Sequence, residues 1–180
     1  MARWATLAAG AVALLTVATA SAENRISATE AYEQVQERGD EILFIDVRDP
    51  VEIMFVGGTN EVDANIPFRT VDRDRWSEEG GHFAMDLNPD FAEQVEAALE
   101  AKGLDRSATV ITMCRSGSDR GQPSADYLLE EGFESVRYVT HGFQGDPVEE
   151  GEREGMRLVN GWQNSGLPWS RSLDADKIAR

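Results

Sequence analysis

A chain of 180 residues with 33 acidic and 17 basic side chains carries a net charge of −16, so its surface as a whole repels nucleic acid and anionic membranes. One cysteine excludes an internal disulfide. Two histidines, with no ligand cluster at zinc or iron spacing, call for neither a metal nor any other cofactor. An anionic ligand would need a local cationic pocket.

The chain opens MARWATLAAGAVALLTVATASAEN. Arg3, an apolar run over 4–20 and small residues spaced A-x-A describe a secretory signal peptide over residues 1–22, cleaved after Ala22. The expectation is a periplasmic protein with no stable membrane insertion once that peptide is removed. Residues 23–148 read as one domain, and 149–180 as a tail held on it by Trp162 and Trp169.

Ser27 and Glu30 form a capping box, with Ile26 and Ala31 as its hydrophobic staple. A helix of roughly ten residues follows, closed by Gly39 in the left-handed conformation. EILFIDV is a continuous apolar run, the pattern of a strand buried on both faces. Residues 51–68 read as short extended pieces, and 69–88 as a long polar loop. Asn88 is placed as the N-cap of the next helix, with Pro89 in its first turn. Phe91, Val95, Ala98 and Leu99 form its apolar stripe, and Gly103 stops it. ATVITMC is a second buried strand, ending at Cys114. A helix from about Gln122 to Glu131, closed by Gly132, precedes a third strand, SVRYV. This alternation predicts an α/β class with a central parallel sheet and helices on both faces. Ligands of such sheets bind at the carboxyl ends of strands, where Asp46, Arg48 and Cys114 fall.

The segment Cys114-Arg115-Ser116-Gly117-Ser118-Asp119-Arg120 therefore joins a strand to a helix. A glycine-containing loop feeding a helix N-terminus gathers backbone N–H donors and the positive end of the helix dipole. Such a setting, with arginines alongside, favours the thiolate form of a thiol. It suits a bound oxyanion or an anionic persulfide, and neither requires a general-base histidine. The contrasting reading is a small buried residue ending a core strand.

The ordered segments LFIDVRDP, ANIP, VITMCRSGSDR and LLEEGFESVRYVTHGFQGD resemble a rhodanese domain over about residues 25–146. The export signal and GWQNSGLPWS resemble single-domain periplasmic members of that group. The resemblance implies a sulfurtransferase that takes sulfane sulfur from a small anionic donor such as thiosulfate. The sulfur passes through a cysteine persulfide to a thiol or protein acceptor. It makes Cys114 the nucleophile and Arg115, Ser116, Gly117, Ser118, Asp119 and Arg120 the substrate-binding loop. Asp46 and Arg48 match a supporting DVR element. The C-x5-R spacing is one residue longer than is usual for sulfur transfer, and is the length found in phosphatases and arsenate reductases of the same fold. Such a phosphatase or reductase is one alternative; a sulfur carrier with little turnover is another. Asp46 and Arg48 are expected to form an ion pair tying the first strand to a neighbouring loop. Asp119 is expected to cap the helix after it, and His141 to occupy a turn near the loop.

Overall fold

The computed structural model describes residues 24–179, so the signal peptide expected over 1–22 lies outside the described residues. In chain order the elements are β1 (Arg25–Ile26), α1 (Ala28–Arg38), β2 (Ile42–Asp46), α2 (Pro50–Val56), β3 (Ala64–Asn65), β4 (Arg69–Ser77) and β5 (His82–Leu87). There follow α3 (Phe91–Ala101), β6 (Thr109–Met113), α4 (Gly121–Glu130), β7 (Ser135–Val139), β8 (Asp146–Pro147), β9 (Arg157–Val159) and a helical turn α5 (Gly161–Asn164).

The central sheet is parallel, with five strands in the order β1-β7-β6-β2-β3. Alternation along β2 sends its side chains to two cores. Leu43 and Ile45 pack with Phe91, Val95 and Leu99 of α3 and with Ala125 and Leu128 of α4. Ile42 and Phe44 pack with Ala28 and Ala31 of α1 and with Trp162 of α5. Helices thus cover both faces, and a strand with no solvent face needs the unbroken apolar run seen in the sequence. The β2–β6 register sets Asp46 opposite Met113, so the DVR segment and Cys114 leave the sheet side by side.

The capping box of the first helix and the glycine stop of the third hold in their local detail. The capping box of α1 is reciprocal: Glu30 N–H donates to Ser27 Oγ at 3.2 Å, and Ser27 N–H to the Glu30 carboxylate at 2.9 Å. At the end of α3, Gly103 N–H donates to Glu100 O and Leu104 N–H to Leu99 O, a Schellman closure with Gly103 at φ +75°. Gly39 departs from expectation. Its φ of −58° is right-handed, and the chain runs on into a 3₁₀ turn, Gly39–Glu41, before β2. The start of α3 is also later than expected: Asp90, not Asn88, holds the N-cap position. Asn88 Oδ1 instead accepts from Asp90 N–H at 3.1 Å, forming a turn ahead of the helix.

Residues 51–88 depart most. The first stretch contains α2, started by Asp49, whose carboxylate accepts from Val51 N–H at 2.8 Å, and by Pro50 in the first turn. Only Ile53 of this helix is buried, so no apolar stripe announces it. The polar stretch is an antiparallel hairpin, β4–β5, rather than a loop. Neither strand buries a face, and the apolar Trp76, Phe83 and Leu87 are exposed among charged residues, which removes the inward–outward alternation that marks a strand. The Trp76 and Phe83 rings meet edge-on at 5.4 Å, and Arg75 bridges Asp72 and Asp86.

The tail returns over the sheet. Trp162 is fully buried, with its ring 5.4 Å from that of Phe44 and 5.8 Å from that of Tyr32. Its indole N–H donates to Pro168 O at 2.9 Å. Gly58 and Ser170 then exchange backbone hydrogen bonds, and Lys177 Nζ donates to the carbonyls of Asn60 and Val62. Among the described residues no helix is long and apolar enough to cross a membrane, and no cluster of metal-ligating side chains occurs.

Candidate active site

Cys114 is the first residue beyond β6, and the loop it opens closes at Arg120, immediately before α4. The loop is clamped from behind by the turn after β7. Phe143 N–H donates to Cys114 O at 2.7 Å, and Gln144 N–H to Arg115 O at 2.9 Å. Two glycines permit this approach. At Gly117, φ +85°, a Cβ would sit 2.7 Å from His141 N. At Gly142, φ +59°, it would collide with Cys114 O and with Gly117 N at 2.8 Å. On the helix side, Gln122 N–H donates to Gly117 O at 3.0 Å, and Thr112 Oγ from β6 donates to Gly121 O at 3.0 Å.

Inside this frame Cys114 Sγ accepts the Gly117 N–H at 3.1 Å. The residue is fully buried and contacts the α3–α4 core, so the buried setting and the loop setting are combined in one side chain. Among the described residues, the main-chain N–H groups of Arg115, Ser116, Ser118, Asp119 and Arg120 find no acceptor. Unpaired donors in a loop at a helix start are what an anion satisfies.

The two loop arginines have different surroundings. Arg120 is 7% exposed, and both of its terminal nitrogens donate to the Glu52 carboxylate, the second contact at 2.9 Å. Burial pushes its guanidinium down, but the Glu52 hydrogen bonds and the charges of Glu52, Cys114 and Asp46 raise it above its ordinary value. Arg115 is exposed, and its Nε donates to Gln144 Oε1 at 2.8 Å. Burial of part of its guanidinium, followed by the charge of Arg157, holds it below the usual arginine value. Ser116 and Ser118 share a hydroxyl contact at 3.1 Å, and Ser118 Oγ donates to Asp119 Oδ1 at 3.0 Å. Asp119 does not cap α4. Arg120 occupies the N-cap position with no side-chain cap, and the Asp119 carboxylate is turned to its neighbour Ser118.

Asp46 and Arg48 form the expected ion pair, although it closes within their own segment. Arg48 is fully buried, and its Nε donates to the two Asp46 oxygens at 2.9 and 3.1 Å. The Asn65 side chain ties the carbonyls of Asp46 and Arg48 at 2.9 and 2.8 Å. The link to the active loop runs through a ring: Arg48 Cζ lies 4.4 Å from the Phe143 centroid, and Phe143 N–H holds Cys114 O. Arg48 Nη1 has no hydrogen-bond partner among the described residues. His141 has φ +64°, and its Nδ1 lies 2.5 Å from Asp146 Oδ2, beside the loop but with no contact to Sγ.

Glu52, Phe143, Gln144 and Asn65 were not among the residues singled out in the sequence. Glu52 had a usable signal, because reading Asp49-Pro50 as a helix start places it in the first turn. The others are held by tertiary contacts alone. Two clefts flank the loop. One of about 500 Å³ lies between Ser116–Asp119 and the β7–β8 region. One of about 380 Å³ lies between Asp119, Arg120 and the hairpin residues Arg69 and His82.

No protein-family model and no curated protein matches the sequence. Among solved structures, the chain is similar to the protein Rv0390 from M. tuberculosis, with 27% identity and a TM-score of 0.59 over 82% of this chain and 97% of that one. It is also similar to a rhodanese-related protein from Thermoplasma volcanium, with 19% identity and a TM-score of 0.46 over 83% and 99% of the two chains. A third likeness is to a homodimeric polysulfide-sulfur transferase from Wolinella succinogenes, with 22% identity and a TM-score of 0.47 over 87% and 85%. With its sheet order β1-β7-β6-β2-β3 and a cysteine-led loop joining β6 to α4, the chain has a rhodanese-like α/β fold.

Proposed function

We propose that the protein transfers sulfane sulfur through a persulfide on Cys114. The observation that carries this reading is the position of Sγ, which receives the Gly117 N–H at 3.1 Å within a loop of otherwise unpaired N–H donors. In the first half-reaction the Cys114 thiolate attacks the outer sulfur of thiosulfate. The sulfur–sulfur bond of the donor breaks, and sulfite leaves with the electron pair. The outer persulfide sulfur is anionic, and loop N–H groups stabilise it as they would an oxyanion. Arg120, fixed by Glu52, contributes a permanent positive charge behind the loop. Arg115 is exposed and held only through Nε by Gln144, which leaves its terminal nitrogens for the sulfonate oxygens of the donor. Sγ itself is buried, so the donor enters by displacing exposed side chains of the loop, such as Ser118 and Asp119. A second nucleophile then removes the sulfur, which makes the kinetics ping-pong.

The seven residues from Cys114 to Arg120 favour a second reading, hydrolysis of a phosphate monoester or reduction of arsenate in a wider loop. Glu52 weighs against it. A carboxylate already bound to both terminal nitrogens of Arg120 disfavours a dianion at the same guanidinium. Export to the periplasm belongs to the same proposal, and a mature N-terminus at Glu23 would support it. Steady-state assays separate the two chemistries. Formation of thiocyanate from thiosulfate and cyanide, lost in Cys114→Ser, is expected. Aryl phosphate hydrolysis or arsenate reduction without thiocyanate would replace this reading with the second one.

A further inference from the structure

The cleft of about 500 Å³ beside the loop has a feature that sulfur donation does not use. Its walls include Arg25 from β1 and Arg157 from β9, and neither pairs with a carboxylate among the described residues. Arg38, Arg48, Arg75, Arg106 and Arg120 hold carboxylates, whereas these two arginines share one cleft without one. Each free arginine is nevertheless fixed in place. Arg25 Nε donates to Tyr138 Oη at 2.9 Å, and Arg157 Nη1 donates to Gly145 O. The carboxylates in the same walls are already engaged. Asp146 is held by His141 and Asn160, and Asp119 by Ser118. Positioned guanidiniums without counter-ions form a receptor for a carboxylate or similar anion. The same cleft is lined by the active loop, from Ser116 to Asp119, which carries the Gly117 N–H bound to Sγ. The volume lies in the range of small-molecule sites.

We propose that this cleft binds the sulfur acceptor, that the acceptor is a small thiol bearing a carboxylate, and that Arg25 and Arg157 select it through that carboxylate. The proposal rests on the transfer reading above and names the substrate of its second half. The acceptor thiolate attacks the outer sulfur of protonated Cys114 persulfide. The persulfide S–S bond breaks, its electron pair returns to Sγ as thiolate, and the acceptor departs as a persulfide carrying the proton. No oxidant or reductant is consumed. Arg157 belongs to the β8–β9 ribbon, an addition outside the central sheet, so the acceptor preference would be a property of this ribbon.

The test uses the full chain loaded with inorganic polysulfide, and follows by mass the loss of the added sulfur to 3-mercaptopropionate and to its uncharged amide. The readout is the ratio of the two discharge rates. Arg157→Gln and Arg25→Gln are each expected to lower this ratio about tenfold, the loss of one charge-assisted contact. Arg157→Lys should restore most of it, and Arg153→Gln, elsewhere on the ribbon, should leave it at the wild-type value. Loading with an unchanged ratio in both glutamine variants overturns the acceptor site while leaving sulfur transfer standing. Failure of the wild-type protein to load overturns the transfer reading, and this proposal with it.

Discussion

Glu52 in the first turn of α2 holds Arg120 at the end of the active loop by both terminal nitrogens of the guanidinium. The pair crosses 68 positions of sequence and is mostly buried on the arginine side. Glu52→Gln leaves a buried cation half-satisfied. The expected cost lies at the low end of the about 3–5 kcal/mol lost when a buried pair is broken, because Glu52 retains some exposure. Denaturant melts should show that loss together with a lower transfer rate. Wild-type stability and rate in this variant would mean that Arg120 needs no partner.

The turn that clamps the loop predicts a difference between two glycine substitutions. Gly132→Ala imposes left-handed strain at φ +90°, but its Cβ meets only Arg106 Nη1 at 3.9 Å. It should cost about 1–2 kcal/mol and spare activity. Gly142→Ala adds a collision with Cys114 O to the same kind of strain, so about 2–5 kcal/mol and most of the activity should be lost. Equal effects in the two variants would contradict the role given to the 141–144 turn.

Trp162 and Trp169 should separate as cleanly. Trp162→Ala removes a fully buried ring and is expected to destabilise the domain by about 3–5 kcal/mol. Trp169 is 44% exposed and touches Phe143 at an edge, so Trp169→Ala should cost less than about 1 kcal/mol. Thermal melts of the two variants make the comparison.

The capping box of α1 gives a pH dependence of known sign. The Ser27 hydroxyl, then the Ser27 main-chain N–H, hold the Glu30 carboxyl below its ordinary value. A folded pKa below the unfolded one means that the contribution is full above the unfolded value and is lost as pH falls through the folded one. Ser27→Ala should therefore destabilise the protein at neutral pH, with a smaller penalty in acid. A penalty that grows on acidification would contradict the capping geometry.

Much of this architecture was legible from local chemistry. Strand β2 and the cysteine-led loop were readable because a strand buried on both faces must be apolar throughout, and because glycine and arginine beside a thiol at a helix start suit few other purposes. Gly103 and Gly132 closed their helices for a local steric reason. The hairpin was not legible, since neither of its strands buries a face and its cross-strand contacts leave no period in the sequence. Helix α2 was hidden because a single buried residue, Ile53, makes no stripe. Asp119 was misread because its short-range partner is a serine hydroxyl, not the helix end. Phe143 and Gln144 reach the site only through the tertiary fold.

The most direct measurement is the intact mass of the protein after incubation with thiosulfate. The account predicts a gain of one sulfur atom, absent in Cys114→Ser and reversed by cyanide or a thiol. An unchanged mass in the wild-type protein, or the same gain in Cys114→Ser, would contradict it.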